Sequence, residues 1–137
     1  MSRLPSILLV DDDPITNFLN RKLLLRLEAA EEVLVAANGE EALAVLHRYC
    51  QPPTPSYPAL IFLDINMPLM DGFEFLTAFQ QLPDAQRHAV VIVMLTTSVS
   101  SRDLERVKHQ PVADFLAKPL TQEQVERVLE QHFSLNP

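Results

Sequence analysis

Ser6-Ile7-Leu8-Leu9-Val10-Asp11-Asp12-Asp13-Pro14 passes from an unbroken apolar run straight into three acids and a proline. An apolar run without alternation is what a strand buried on both faces shows. Asp13 can cap a following helix, and Pro14 suits its first turn, where a missing N–H costs nothing. Ile15, Phe18, Leu19, Leu23 and Leu27 then recur at helical spacing and predict a first helix reaching about Ala29, with these residues on its buried stripe. A buried strand leading directly into a capped helix is the opening half of a βαβ unit.

The same grammar repeats along the chain. Strand 2 is predicted at Val33–Ala37, followed by an Asn38-Gly39 turn and a helix carrying Ala42, Leu43, Val45 and Leu46. Strand 3, Leu60-Ile61-Phe62-Leu63, ends at Asp64, and the turn-rich Met67-Pro68-Leu69-Met70-Asp71-Gly72 connects it to a third helix from Phe73 to about Gln80. Strand 4 is Val90–Leu95; a fourth helix starts at Ser100 or Ser101 and is stopped by Pro111. Strand 5 is short, Asp114–Ala117, and Thr121-Gln122-Glu123-Gln124 reads as a capping box opening a fifth helix. Strands alternating with helices imply an α/β fold of parallel βαβ units with right-handed crossovers.

The bulk composition agrees. A chain of 137 residues with 47% hydrophobic and 21% charged residues is a single globular domain with a real core. Its net charge of −7 argues against a nucleic-acid surface, which needs clustered Lys and Arg. The single cysteine, Cys50, excludes an intrachain disulfide, and no apolar run reaches the length of a membrane span. Met1 to Pro5 runs directly into strand 1 without the pattern of a signal peptide. A cytoplasmic location is the expectation.

The hydrophilic residues Asp11, Asp12, Asp64, Thr96 and Lys118 all follow strands. Ligands of a parallel α/β sheet bind beyond the carboxyl ends of its strands, so these groups should share one pocket. Alone, Asp11-Asp12-Asp13 is equally a helix start, with acids at the positive end of the dipole. Asp64, ending a buried run, would suffer strong repulsion from two nearby carboxylates unless a cation relieved it. Hard oxygens of this kind suit Mg²⁺. Lys118 can pair with a carboxylate or neutralise a phosphoryl oxygen, and Thr96 can donate its hydroxyl to the same oxygen.

Leu8-Leu9-Val10-Asp11-Asp12, Leu63-Asp64-Ile65-Asn66-Met67-Pro68, Asp71-Gly72, Leu95-Thr96-Thr97 and Ala117-Lys118-Pro119 together resemble the receiver domain of response regulators, the phosphoacceptor module of two-component signalling. The resemblance spans nearly the whole chain. It implies a flavodoxin-like, doubly wound five-stranded parallel sheet of order 2-1-3-4-5 with five helices. It further implies one receiver domain over residues 1–137 with no output domain, unless the chain is a piece of a longer protein. By the same resemblance Asp64 would be the phosphoacceptor. Asp12, Asp64 and the backbone carbonyl of Asn66 would hold Mg²⁺ directly, and Asp11 mainly through water. Lys118 and Thr96 would hold phosphoryl oxygens. Phe115 would be the aromatic partner of Thr96 in the switch, although a buried strand Phe is also plain core. Thr97 is bulkier than the residue often found there, which predicts slower approach to an acyl phosphate. The implied partners are a histidine kinase or a histidine phosphotransfer protein, with no nucleic acid and no membrane, the chain being a monomer or weak homodimer. The switched surface would lie around the fourth helix, strand 5 and the fifth helix.

Other readings carry less. Asp11 as nucleophile and Asp13 as acid/base would suit a phosphatase of the haloacid-dehalogenase type, but the contexts of Asp64 and Lys118-Pro119 fit the receiver better. A phosphorylation-independent binding module is disfavoured by the complete acidic set, and flavin by acids where a phosphate loop belongs. The proline-rich 51–58 segment reads as a stiffened loop at the opposite end of the sheet from Asp64. Leu24 and Leu25 read as extra core on the first helix, the resemblance implying that this face docks the helices of a phosphodonor. The fourth helix is mostly charged and gives little support for an apolar dimer face. His47, His88, His109 and His132 lack paired spacing and read as surface residues.

Overall fold

The computed structural model describes residues 3–50, 56–97 and 101–133. Its elements are β1 (Leu4–Val10), α1 (Pro14–Arg26), β2 (Ala30–Ala36), α2 (Gly39–Arg48), β3 (Leu60–Asp64) and α3 (Gly72–Phe79), then α4 (Asp84–Arg87), β4 (Val91–Thr96), α5 (Ser101–Lys108), β5 (Asp114–Ala117) and α6 (Gln122–Phe133). All strand pairs are parallel, and the sheet order is β2-β1-β3-β4-β5. This is the expected doubly wound architecture, with six helices instead of five. The additional one is the single turn α4, so the expected fourth and fifth helices are α5 and α6.

Each face of the sheet carries its own core. Ile7, Leu9, Phe62, Val93 and Leu95 pack with Leu24 of α1 and with Val125, Val128 and Leu129 of α6. Leu8, Val10, Ile61, Leu63 and Met94 pack with Leu46 of α2, with Phe75, Leu76 and Phe79 of α3, and with Val107 of α5. Burial on both faces is why β3 contains nothing but apolar residues until Asp64. The edge strand β2 is longer at its start than its apolar pattern predicts. Ala30 and Glu32 pair with Leu4 and Ser6, and an edge tolerates the acids that a central strand would exclude.

The helix starts are chemically explicit. Asp13 caps α1, its carboxylate accepting from the Ile15 backbone N–H at 2.9 Å and from the Thr16 hydroxyl at 3.1 Å. Those bonds hold the Asp13 carboxyl below its usual range. Asp71 and Glu74 form a reciprocal capping box on α3, and Thr121 and Gln124 exchange the same pair of bonds at α6.

One expectation fails at α1. Ile15, Phe18 and Leu19 do not face the core: they are 67%, 58% and 58% exposed. Asn17, Asn20 and Leu24 are buried instead, while Leu23 and Leu27 are partly buried. Apolar residues occur nearly all round this helix, so periodicity leaves its rotation open. A hydrogen bond supplies what the pattern lacks: the Asn17 side-chain amide donates to the Asp11 carbonyl at 2.8 Å, turning a polar residue inward. Leu24 is core as expected; Leu25 is 37% exposed.

Residues 51–55 of the proline-rich segment, with Pro52 and Pro55, lie outside the described residues. Beyond them Pro58 is buried, and the Tyr57 hydroxyl donates to the Gln86 carbonyl at 2.7 Å. Burial, with Cys50 nearby, pushes Tyr57 up to about 12, so it stays a donor at neutral pH. No helix among the described residues is long and apolar enough to cross a membrane.

Two glycines are required by close approach. A Cβ at Gly72 would lie 2.5 Å from the Asp64 carbonyl oxygen, whereas a Cβ at Gly39 would meet only the side chain of Met70. Backbone cannot swing aside as a methionine can. Gly72→Ala is therefore expected to destabilise the fold by roughly 2–4 kcal/mol in urea denaturation, and Gly39→Ala by clearly less. Equal losses would refute this reading of the α3 start.

Candidate functional site

The ends of β1, β3, β4 and β5 open on one side of the sheet. Asp11 is 4% exposed, Asp64 6% and Thr96 1%, whereas Asp12 is exposed. Carboxylate oxygens of Asp11, Asp12 and Asp64 all lie within 4.8 Å of one another. The Lys118 ammonium reaches across from β5, 2.5 Å from Asp11 Oδ2 and 3.2 Å from Asp64 Oδ1. The Lys118 backbone N–H donates to the Thr96 carbonyl at 2.7 Å, which fixes the two strand ends side by side.

Local folding explains how carboxylates are held so close. The other Asp11 oxygen accepts from the Asp13 backbone N–H at 2.9 Å, and the Asp11 carbonyl accepts from Asn17. Asp64 is fixed through its main chain by α3, because the Gly72 N–H donates to the Ile65 carbonyl at 2.8 Å. Both Asp11 oxygens and both Asp13 oxygens are thus engaged in bonds that position the backbone or Lys118. That occupation leaves little support for Asp11 as a dehalogenase-type nucleophile with Asp13 as its acid/base.

Electrostatics single out Asp64. Burial and the neighbouring Asp11 charge push its pKa up to about 6, although Lys118 pulls the other way. For Lys118 itself, burial disfavours the charged form. The hydrogen bond to Asp11 and the charge of Asp64 outweigh it and hold the ammonium above the ordinary lysine range. Three carboxylates against one ammonium leave the cluster with an excess of negative charge. The donors are hard oxygens, so the site fits a divalent cation such as Mg²⁺.

The structure brings most of the sequence-predicted residues together. Asp11, Asp12, Asp64 and Lys118 meet, and Thr96 lies beside them at the end of β4. Asn66 is exposed in the connection after β3. Phe115 is half-buried against the core on the α2–α3 face, opposite Met94. Asn17 and Gly72 are the positioning residues that carry this geometry. Gly72 was visible in the Asp71-Gly72 turn, but its approach to Asp64 was not. A lone Asn inside an apolar helix gave no signal. A cleft of about 500 Å³ between α1 and the β5–α6 connection, lined in part by Leu19, Leu23, Thr97, Lys118 and Pro119, leads toward this cluster.

A family model described as the response regulator receiver domain matches residues 7–130. The chain belongs to this family. Among curated relatives, the receiver is 34% identical to an uncharacterized 14.6 kDa protein of Leptolyngbya boryana, over 92% of this chain and 88% of that one. It is 33% identical to the protein PilH of Pseudomonas aeruginosa, over 85% of this chain and 88% of that one. A solved two-component response regulator from Cytophaga hutchinsonii superposes with a TM-score of 0.86 at 27% identity, covering 98% of this chain and 100% of that one. The chain spans about half the length of some other curated relatives that it matches.

The buried charge gives a prediction for the metal-free receiver. A carboxyl raised to about 6 in the fold binds its proton more tightly there than in the unfolded chain. Its protonated form therefore stabilises the fold at low pH, and that stability is lost as pH rises through about 6. In EDTA, Asp64→Asn should be more stable than wild type at pH 7 by up to about 3 kcal/mol, with the gap closing near pH 4. Urea titrations across this range check it; a gap independent of pH would contradict it.

Proposed function

We propose that Asp64 accepts a phosphoryl group from a histidine phosphodonor and that the modified receiver presents an altered protein-binding surface. The observation that supports this reading best is a buried carboxylate, Asp64, set between two further carboxylates and an ammonium at the open end of a parallel sheet. A carboxylate attacking phosphorus needs charge neutralisation and in-line positioning more than a general base. Each of those needs has a residue in this site.

Asp11, Asp12, Asp64 and the Asn66 carbonyl would hold Mg²⁺, Asp11 mainly through water. When bound, the ion supplies charge neutralisation at the phosphoryl oxygens and at the crowded carboxylates. Asp64 is the nucleophile: one of its oxygens bonds to phosphorus as the bond to the donor imidazole nitrogen breaks, leaving neutral histidine on the donor after protonation. Lys118 gives up its contact with Asp64 and holds a phosphoryl oxygen as a compact point charge. Thr96 donates its hydroxyl to another oxygen.

The added charge then biases the neighbourhood of β4 and β5. Thr96 moves toward the phosphoryl group, and the half-buried ring of Phe115 turns inward behind it. Lacking a hydroxyl, that ring switches by packing alone. The responding surface comprises α5, β5 and α6. The donor is a histidine kinase or a histidine phosphotransfer protein, whose imidazole approaches through the cleft beside Lys118.

Intact mass after incubation with acetyl phosphate and Mg²⁺ tests the reading. Wild type should gain one phosphoryl adduct, and Asp64→Asn or EDTA should abolish it. An adduct that persists in Asp64→Asn would displace Asp64 as acceptor. Thr97, exposed beside Lys118 in the cleft, should shield the acyl phosphate from water. Thr97→Ala is expected to shorten the adduct's lifetime several-fold, by roughly 1 kcal/mol of barrier, and an unchanged lifetime would remove Thr97 from the mechanism.

A further inference from the structure

His132, expected at the surface, sits in the last turn of α6 with its side chain 22% exposed, and its Nε2 is buried without a hydrogen-bond partner. Buried polar atoms left in that state are uncommon and call for an explanation. The Asp114 carboxylate of β5 faces Nε2 at 3.8 Å, too far for a hydrogen bond. A neutral ring presents there either a lone pair to a carboxylate or a buried N–H without an acceptor. Protonation resolves both cases, because the imidazolium N–H is a donor suited to a carboxylate. The last turn of a helix favours a cation as well.

The same carboxylate has a second duty. Alternation along β5 turns Asp114 and Leu116 toward α6 and Phe115 toward the α2–α3 face. Asp114 Oδ1 accepts from the Phe115 backbone N–H at 2.8 Å, while Oδ2 faces His132. One carboxylate therefore links the residue that carries the ring to the end of α6. β5 is a four-residue edge strand paired with β4 alone, and short edges open more easily than central strands. Around the contact, β1, β3, β4 and α1 bring apolar side chains to the core under α6, among them Ile7, Phe62, Val93 and Leu24. One turn back on α6 stand Val128 and Leu129. Among the described residues, Asp114 is the ionisable group within ion-pair distance of His132.

We propose that His132 and Asp114 form a proton-operated latch, in which the charged imidazole closes onto the carboxylate and fixes the start of β5, and with it Phe115, to α6. Histidine is the side chain whose charge ordinarily changes between about pH 5 and 8. Loss of the proton opens the contact and frees the strand. His132 is a positioning residue: it touches no reacting atom and acts through Asp114 on Phe115. The inference rests on the switch proposed above only for what the latch regulates, the ease with which Phe115 responds to phosphorylation. The latch itself is measured without phosphorylation.

Amide and imidazole resonances of the isotopically labelled full chain, followed from about pH 8 to about pH 5, provide the test. Asp64→Asn serves as the background, because Asp64 itself titrates at about 6. The Phe115 N–H resonance should move with the same midpoint as the His132 ring. That movement should vanish in His132→Gln and in Asp114→Asn, whose side-chain oxygen can still accept from Phe115. In a double-mutant cycle the two substitutions should show a coupling of about fivefold in the unfolding equilibrium at about pH 5 and none at about pH 8. A Phe115 resonance that titrates without His132, one that ignores pH, or a coupling equal at the two pH values would each overturn the latch. Loss of acetyl phosphate labelling in the wild type would instead sink the acceptor reading and leave the latch standing.

Discussion

One ammonium faces two buried carboxylates at the open end of the sheet. Lys118 contacts Asp11 and Asp64 at once, and the exposed Asp12 adds a third negative charge beside them. Carboxylates so placed repel one another strongly in a region partly shielded from water. The fold accepts this cost because each main chain is fixed from elsewhere. Asp11 is held by the Asp13 N–H and the Asn17 amide, and Asp64 by the start of α3. Neither residue can relax away from the other without breaking a helix start. Burial first, and the Asp11 charge second, push the Asp64 pKa up to about 6.

Much of this was legible in the sequence because the information is local. Continuous apolar runs ending in Asp11, Asp64 and Thr96 mark buried strands, and parallel strands place their carboxyl ends together. The caps at Asp13 and Thr121 follow from side chains that reach their own backbone two or three residues on. Even the short β5 kept its predicted bounds, since it lies between Pro111 and Lys118-Pro119.

The parts that were not legible are relations between distant atoms. The rotation of α1 could not be read, because Ile15, Phe18, Leu19 and Leu24 offer apolar residues to several directions and the choice is made by Asn17 reaching the Asp11 carbonyl. The single turn α4 has no side-chain cap and no buried residue, hence no pattern. The edge strand β2 extends through Glu31 and Glu32, residues that a periodicity argument counts against a strand. Distances within the site depend on Gly72 fitting against the Asp64 carbonyl, a contact that no composition rule expresses.

The way α1 is fastened separates two duties that surface helices usually combine. Its attachment depends on Asn17, Asn20 and Leu24 on the inner side and on the exposed Asp13 cap at its start. Ile15, Phe18, Leu19, Lys22 and Arg26 on the outer side contribute little to that attachment. Substitutions there come at small expense to folding, so a duplicated gene of this design can change that whole face while its acidic pocket stays intact.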